Sequence, residues 1–569
     1  MYEQKQSIAS LVADRLGVAA DDVWMAIEYP PDPRLGDLAL PCFRFAKTLR
    51  KAPPAIAADA AEVLRQSGLF ARVDVAGGYV NVTLRRGPVA AGVIDQAQRD
   101  VAALFSRRRH TGRRAAVDYS SPNIAKPFGV GHLRSTMIGQ SICRLLAADG
   151  FEVVGINHLG DWGTQFGKNI VAYLKWGDEE TVRRDPVKEL FRLYVRFHEE
   201  AKDKPELEDE ARAWFKRLED GDEEATRLWK WFIAESLKAF EQTYRRLGVR
   251  FDHYLGESFY NDKMDAVVDE LRQRGLLTES EGAEVVDLSA WNMPPCIIRK
   301  SDGATIYATR DLAAALYRHD VLGATDLIYV VGAEQKLHFA QVFKVLELMG
   351  RDWAAHCHHI AFGMMKYNGE RLSTRRGKVV YLEEVLERAV QEARAIIEEK
   401  NPGLPDKDRV AETVGIGAVV FNDLKNNRLH DVDFRWEDVL NFDGETGPYV
   451  QYTHARACSV LRRAEAEGVP VTSPPVLADE ALADSEWQLV HQLAQSNESL
   501  ERAVDGFDPS VMARHVLDVC HAFNRFYHDA PILGAEDDLR AFRLALTDAT
   551  RRVLAHGLYL LGLEAPEAM

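Results

Sequence analysis

Residues 120–136 read SSPNIAKPFGVGHLRST. Gly129, Gly131 and His132 stand where an apolar stretch, RAAVDYSS, gives way to a helical one, GHLRSTMIGQSICRLLAADG. A strand, a glycine-containing turn and a helix N-terminus together make an anion site, because the first N–H groups of a helix lack partners and its dipole favours negative charge. Gly129 and Gly131 let the backbone approach a phosphate closely, and His132 supplies a donor in the first turn. A plain structural turn with a solvent-facing histidine satisfies the same pattern. Two other sets of residues could do chemistry. Tyr307 and Asp311 are four apart in YATRDLA, so on a helix they share a face. Tyr449, Tyr452 and Arg456 are three and four apart in GPYVQYTHAR. They form one helical stripe of the kind that stacks on splayed bases; packing of both tyrosines within the fold is the alternative.

These residues need a scaffold. At roughly 100–200 residues per domain, 569 residues imply about three or more domains. Residues 1–110 read as a small α+β domain: a helix over 8–16, a second near 40–49, a third in PAIAADAAEVLRQSG, then strands in FARVDVAGGYVNVTL around a Gly-Gly turn. The basic string SRRRHTGRR reads as a linker. From Ala115 to about residue 440, strands alternate with helices: RAAVDYSS, EVVGIN, DLIYVV and HIAFGMM are the strands, which implies a doubly wound parallel sheet of Rossmann type. The charged helical stretch 175–254 reads as an insertion into it. Residues 441–569 carry apolar positions at helical spacing throughout and read as an all-α bundle.

Composition excludes several classes. No apolar run approaches the ~20 residues that span a bilayer, and the N-terminus lacks the features of a secretory signal, so a cytoplasmic protein is expected. The six cysteines are scattered, without a Cys-x-x-Cys pair, which argues against disulfides and a zinc site. Cys357 in HCHH reads as part of a loop before the strand IAFGMM, and no metal-ligating set is expected. A net charge of −16 counts against nucleic-acid binding over the whole surface, though it leaves local basic patches open.

The segment SSPNIAKP…VGHLRST, followed by NHLGDWGTQFG, resembles the signature region of the class I aminoacyl-tRNA synthetases and, specifically, the arginyl-tRNA synthetases. The resemblance recurs in SDGATIYATRDLAAA, YVVGAEQKLHFAQVF, STRRGKVVYLEEVL, GPYVQYTHAR and YLLGLEAPEAM, and covers nearly the whole chain. It implies ATP-dependent activation of L-arginine to an adenylate, then transfer to the 2′-hydroxyl of the terminal adenosine of tRNA(Arg). Mg²⁺ is implied with ATP, and the protein is expected to be a monomer. Asp311, Tyr307 and Glu257 are implied at the guanidinium, which carboxylates hold bidentately. Asn123 and Gln335 are implied at the α-amino group. His338, Gly363, Met364 and Met365 fall on the adenosine side, where strand backbone can read the adenine edge. Tyr449, Tyr452 and Arg456 match anticodon-loop contacts, and Tyr79 and Asn81 match residues near the tRNA elbow, on a half-exposed strand with Val80 and Val82 inward.

The sequence departs from the family at two places. The first signature histidine is Gly129 here, which leaves a backbone N–H or a water as its substitute. In the second signature loop, RLSTR places Thr374 where a lysine is usual, after Ser373. Lys126 resembles the residue that takes over that charge, with Arg375, Arg376 and Lys378 as further cations for the phosphoryl transition state. An inactive RNA-binding paralogue and a class I synthetase for another amino acid are the rival readings.

Overall fold

The computed structural model describes residues 1–304, 306–371, 380–441 and 444–569, without the side chains of Glu370 and Arg371. The N-terminal part opens with the helix Tyr2–Leu16. A three-stranded antiparallel sheet follows, formed by β1 (Leu38–Pro41), β2 (Arg72–Ala76) and β3 (Tyr79–Thr83), with β3 in the middle. The helix expected near 40–49 therefore starts late: LALP pairs with β3, and a 3-10 helix over Cys42–Phe45 and one α-helical turn over Ala46–Leu49 follow. Backbone pairing with a strand some 40 residues on overrides local helical rhythm here. The helix Pro53–Gln66 starts with two prolines, which cost nothing in a first turn. Two further helices, Arg86–Arg99 and Val101–Phe105, lead into the linker.

The central sheet has five parallel strands: β4 (Arg114–Asp118), β5 (Glu152–Asn157), β6 (His253–Tyr254), then β10 (Asp326–Gly332) and β11 (Cys357–Phe362), in the order β11-β10-β4-β5-β6. Its strands bury both faces. Ala115, Val117, Ile328 and Val330 face one apolar cluster with the helix Gly131–Ala148, whereas Ala116, Ile156, Leu327 and Tyr329 face another with the helices Tyr307–Asp320 and Lys336–Leu348. This is the period of two expected of a strand covered on both sides. Chain order reverses between β4 and β10, so the ligand crevice of such a sheet lies at their carboxyl ends.

Between β5 and β6 run the helices Gln165–Trp176, Glu179–Arg184, Pro186–Asp203, Glu206–Glu219 and Glu223–Arg246. The first of them begins ten residues before the expected start of the insertion. Between β6 and β10 a small antiparallel sheet, β7 (Leu277–Ser280), β8 (Ala283–Val286) and β9 (Cys296–Arg299), forms a second excursion that sequence reading missed. The helix that carries YATRDLA begins at Tyr307, and ahead of it Lys300 N donates to Ala304 O. HIAFGMM is not one strand. Cys357, His358 and His359 belong to β11, which ends at Phe362, and Met365–Tyr367 (β12) pairs instead with β13 (Glu370–Arg371) and β14 (Val432–Phe434).

The C-terminal part consists, among the described residues, of the helices Gly447–Ala466, Asp484–Leu493, Ser496–Asp505, Pro509–Asp529 and Asp537–Leu560 with short 3-10 turns and loops. It packs on the signature helix, where Ser141 Oγ donates to Leu560 O at 2.9 Å. The linker arginines are anchored rather than free. Arg109 bonds both the fully buried Asp149 and Asp505, and Arg107 bonds Glu501. All six cysteines are buried thiols. No helix among the described residues is long and apolar enough to cross a membrane.

Candidate active site

The chain leaves β4 through Tyr119, Ser120 and Ser121. Ser120 and Ser121 both have left-handed backbones, with φ of 69° and 48°, and Ala125 follows at 58°. Each such residue costs about 1–3 kcal/mol and persists only where its surroundings fix it. Here they do. Ser135 Oγ accepts from Ser120 N at 2.9 Å, and Ser120 Oγ is bonded to Thr136 Oγ1 (2.8 Å) and Tyr244 OH (2.7 Å). Ser121 Oγ donates to Asp118, whose other oxygen accepts from the buried Arg318 at 2.8 Å. The serines of SSPN are thus the splint of a strained turn.

The turn presents Asn123 to solvent at the sheet's carboxyl edge. Its backbone is bridged to Gly160, through Ile124 N to Gly160 O and Gly160 N to Pro122 O, both 3.1 Å. A Cβ on Gly160 would come within 2.2 Å of Asn123 Oδ1. Glycine is therefore required there by the approach of that amide. On the other side of the same loop, Glu257 N donates to Leu159 O at 2.9 Å. Leu159 and Gly160 thus seat Asn123 and Glu257 together, a role that NHLGDWG did not betray by residue type.

His132 lies in the first turn of Gly131–Ala148, half-buried and stacked on Phe128 at 5.2 Å between ring centres. Burial holds its pKa below the ordinary histidine value. Gly129 N–H donates to His132 Nδ1 at 3.2 Å, so the neutral ring carries its proton on Nε2, which remains a donor for an anion. This corrects the expectation for Gly129: its N–H is spent on His132 and cannot stand in for a missing side-chain donor. Val130 N–H is spent as well, on Val380 O at 2.9 Å. Gly131 N–H takes part in neither bond.

Val380 is the first described residue after the second signature loop, and Leu382 N bonds Phe128 O at 3.0 Å. Ser373, Thr374, Arg375, Arg376 and Lys378 lie outside the described residues. The chain that carries them re-enters the fold directly on the phosphate turn. Lys126 points toward the insertion, with Nζ 5.9 Å from the Tyr194 ring centre.

Tyr307 opens its helix and is 66% exposed; Asp311 follows one turn later. The Asp311 carboxylate is 2.5 Å from His338 Nε2. His338, expected on the adenosine side, therefore stands against the carboxylate expected to meet the guanidinium. Burial raises the Glu257 pKa, opposed by nearby Arg310 and His158, with Asp311 among the charges it senses. Gln335 ends a short 3-10 turn immediately after β10 and is exposed at the crevice. Among the described residues no group of three or more His, Cys, Asp or Glu could hold a metal ion.

On the adenosine side two N–H groups are already occupied. Gly363 N donates to Arg428 O at 2.8 Å and Met364 N to Asp431 Oδ1 at 2.9 Å, so neither N–H is available to an adenine edge. Met364 is exposed, whereas Met365 is buried in the core. The tRNA-facing expectations divide similarly. Tyr79 is exposed and packs edge-on against Phe43. Asn81, expected on the exposed face, is only 6% exposed, although Tyr79 two residues earlier on the same face is 39% exposed. Tyr452 and Arg456 form an exposed cation–π pair at 4.9 Å. Arg456 also reaches Tyr527 and bonds Asn524, which in turn holds the half-buried Tyr449 hydroxyl. Asn524 and Tyr527 are additions from a helix that shows no stripe of its own.

A sheet whose switch point carries a glycine turn, a histidine donor and an exposed amide is what a class I tRNA synthetase requires. Residues 100–436 match the family of class I tRNA synthetases (R), catalytic domain, residues 450–569 the DALR anticodon binding domain, and residues 3–84 the arginyl tRNA synthetase N terminal domain. The chain belongs to the arginyl-tRNA synthetase family. It is 49% identical over 570 residues to an arginine–tRNA ligase of Alkaliphilus metalliredigens (strain QYMF), covering 100% of both chains. It is 50% identical over 572 residues to one of Exiguobacterium sp. (strain ATCC BAA-1283 / AT1b), with the same coverage. Its fold matches the Thermus thermophilus arginyl-tRNA synthetase with a TM-score of 0.83 at 28% identity, covering 100% of both chains.

Proposed function

We propose that this chain is an arginine–tRNA ligase that activates L-arginine with ATP and charges tRNA(Arg) at the 2′-hydroxyl of its terminal adenosine. The observation that carries the reading is full-length identity of about half the residues with arginine–tRNA ligases in a chain that keeps Asn123, Glu257, Tyr307, Asp311 and Gln335 along one edge of the sheet. The carboxylates of Asp311 and Glu257 take the guanidinium, and Asn123 and Gln335 take the amino group. The arginine carboxylate then attacks the α-phosphate and pyrophosphate leaves. His132 Nε2, Gly131 N–H and Lys126 stabilise the charge that develops on the phosphoryl oxygens, as do the cations of the second signature loop. Mg²⁺ arrives with ATP and neutralises phosphate charge; an ion held mainly by phosphates needs no protein cage.

Tyr452 and Arg456, with Asn524 and Tyr527, receive the anticodon loop, and Tyr79 the elbow. The protein acts as a cytoplasmic monomer. Charging of tRNA(Arg) with each of the twenty amino acids is the test. Arginine alone should be transferred; transfer of another amino acid, or of none, overturns the assignment.

A further inference from the structure

Arg428 lies in the short loop between the helix Lys407–Leu424 and β14. Among the described residues its guanidinium pairs with no carboxylate. It is spent on three backbone carbonyls, Phe507 O through Nε (3.0 Å), Gly506 O through Nη2 (3.3 Å) and Ala361 O through Nη1 (2.6 Å). The first two belong to the loop between two helices of the C-terminal bundle. The third is at the end of β11, two residues before Gly363. The carbonyl of Arg428 itself accepts from Gly363 N at 2.8 Å and from Arg134 Nη2 at 3.3 Å.

Arg134 continues the chain of contacts. It stands two residues after His132 in the signature helix, 1% exposed. Its Nη1 donates to Gly363 O (2.7 Å) and His430 O (2.8 Å), and its Nε lies 2.8 Å from the equally buried Asp423 carboxylate. An arginine fork fixes several acceptors in one plane. Two forks in series therefore run from the loop 506–507 to the helix that carries His132. Phe507 has a left-handed backbone, φ 46°, the kind of geometry that persists only when held, and its ring packs on His358 of β11.

We propose that Arg428 is a positioning residue for the nucleotide side of the site: it makes the placement of Gly363 and the signature helix depend on how the C-terminal bundle is seated. The inference rests on the reading above that this side of the crevice takes ATP. A change at one end of this chain of contacts is felt at the other.

The test uses the full chain, as Arg428→Met and Arg428→Lys, with KM for ATP and for arginine measured in tRNA charging. Amide hydrogen exchange is followed over residues 504–510 with and without ATP. The N–H groups of Gly506, Phe507 and Asp508 are bonded to Arg502, Val504 and Ala503, so their protection is measurable. Arg428→Met should raise KM for ATP about three- to thirtyfold, the range of measured couplings, while KM for arginine moves by less than about twofold; Arg428→Lys should fall between. ATP should slow exchange over 504–510 in the parent protein and not in Arg428→Met. Should Arg428→Met fail to fold, Asn427→Ala, which removes two exposed bonds, its Nδ2 to Asp508 and Leu429 N to its Oδ1, should shift KM for ATP in the same direction. A parallel rise of both KM values, unchanged KM values with a lower melting temperature, or ATP protection that is absent from the parent or kept in Arg428→Met would overturn the proposal. Failure to charge arginine at all would instead strike the functional reading, and the exchange experiment decides the coupling without it.

Discussion

The two sides of the crevice, as proposed for nucleotide and amino acid, are built differently. The proposed nucleotide side is made of backbone and deeply buried groups. Its turn spends the N–H of Gly129 and Val130 internally, its helix is tied down by Arg134 and Asp423, and its N–H groups at Gly363 and Met364 are occupied. The amino-acid side is made of side-chain tips at helix and strand ends, Asn123, Tyr307 and Gln335 exposed, Asp311 and Glu257 half-buried. A phosphate is the same in every ATP-using enzyme and suits a rigid cradle, whereas an amino acid must be told from nineteen others by groups that reach it. Substitutions on the amino-acid side should therefore cost activity and spare stability. Substitutions beneath the nucleotide side should cost stability first.

The largest effect is expected at Asp311. Asp311 is half-buried with its carboxylate against His338 and belongs to no apolar cluster, so Asp311→Ala should leave the melting temperature within a few degrees of the parent. Arginine-dependent charging should fall about 10³–10⁴-fold, since a site built to hydrogen-bond a substrate loses that much when the pair is broken. Steady-state charging and thermal unfolding on the same preparation check both halves, and near-normal charging would remove Asp311 from the site.

The opposite pattern is expected at Arg134. Arg134→Met leaves the Asp423 carboxylate buried without its cation, and burial already raises the Asp423 pKa against the pull of that arginine. Breaking a buried pair on one side costs about 3–5 kcal/mol. Arg134→Met with Asp423→Leu should recover part of the loss, because no uncompensated charge remains. Urea unfolding of the three proteins decides it: a single variant as stable as the parent would deny that this pair anchors the signature helix.

His132 gives the nucleotide side a pH signature. Its folded-state pKa lies below the ordinary 6.5, so the Gly129 N–H bond to a neutral Nδ1 is intact above pH 6.5 and is lost as pH falls through the lower folded value. KM for ATP should be level above pH 6.5 and rise below it. In His132→Gln that rise should be absent, on a baseline about tenfold worse, the typical cost of one hydrogen bond to a charged group. An identical acid limb in the variant would assign the titration elsewhere.

The third region, far from the crevice, is the stripe on the helix Gly447–Ala466. Arg456→Ala removes one cation–π partner of both Tyr452 and Tyr527. KM for tRNA should rise about tenfold, in keeping with the ~1–3 kcal/mol of a stacked base, with KM for ATP and arginine unchanged. Altered KM for the small substrates would mean that the stripe is part of the packing.

What the sequence disclosed follows the same division. Period-two strands at RAAVD and DLIYVV, the glycine turn and the helix after it were legible because each is a local pattern, and the helical stripe Tyr449–Tyr452–Arg456 was legible because helical spacing is fixed. LALP and the break after Phe362 were not, since each is decided by a distant partner, Val82 and Val432; the hairpin of β7 and β8, joined by Glu281 and Gly282, was local and was missed. The burial of Asn81 escaped as well, since nothing within GGYVNV separates it from the exposed Tyr79 on the same face. Nor could residue type say that the N–H of Gly129 and Gly363 would be spent inside the protein. Donor availability is a property of the folded neighbourhood.

That last point gives Gly129→His its interest, and its expected effect is the smallest of the five. The backbone of Gly129 is not left-handed, and a Cβ there would meet Val380 O at 3.4 Å and His132 Nδ1 at 4.0 Å, ordinary contacts. A Cβ therefore fits without moving the turn, and the Gly129 N–H bond to His132 is expected to survive it. The new imidazole would add one donor near the phosphates on a rigid backbone. A single such bond to a charged group is worth about 1.5–3 kcal/mol at best, and ordering the ring against Val380 offsets part of that gain. The expectation is a rise of up to about tenfold in kcat/KM for ATP, with KM for arginine unchanged. A gain near a thousandfold would mean that the parent turn is crippled. A loss would mean that Val380, where the second signature loop returns to the fold, cannot share space with a side chain at 129, and that the glycine is there for the loop's sake.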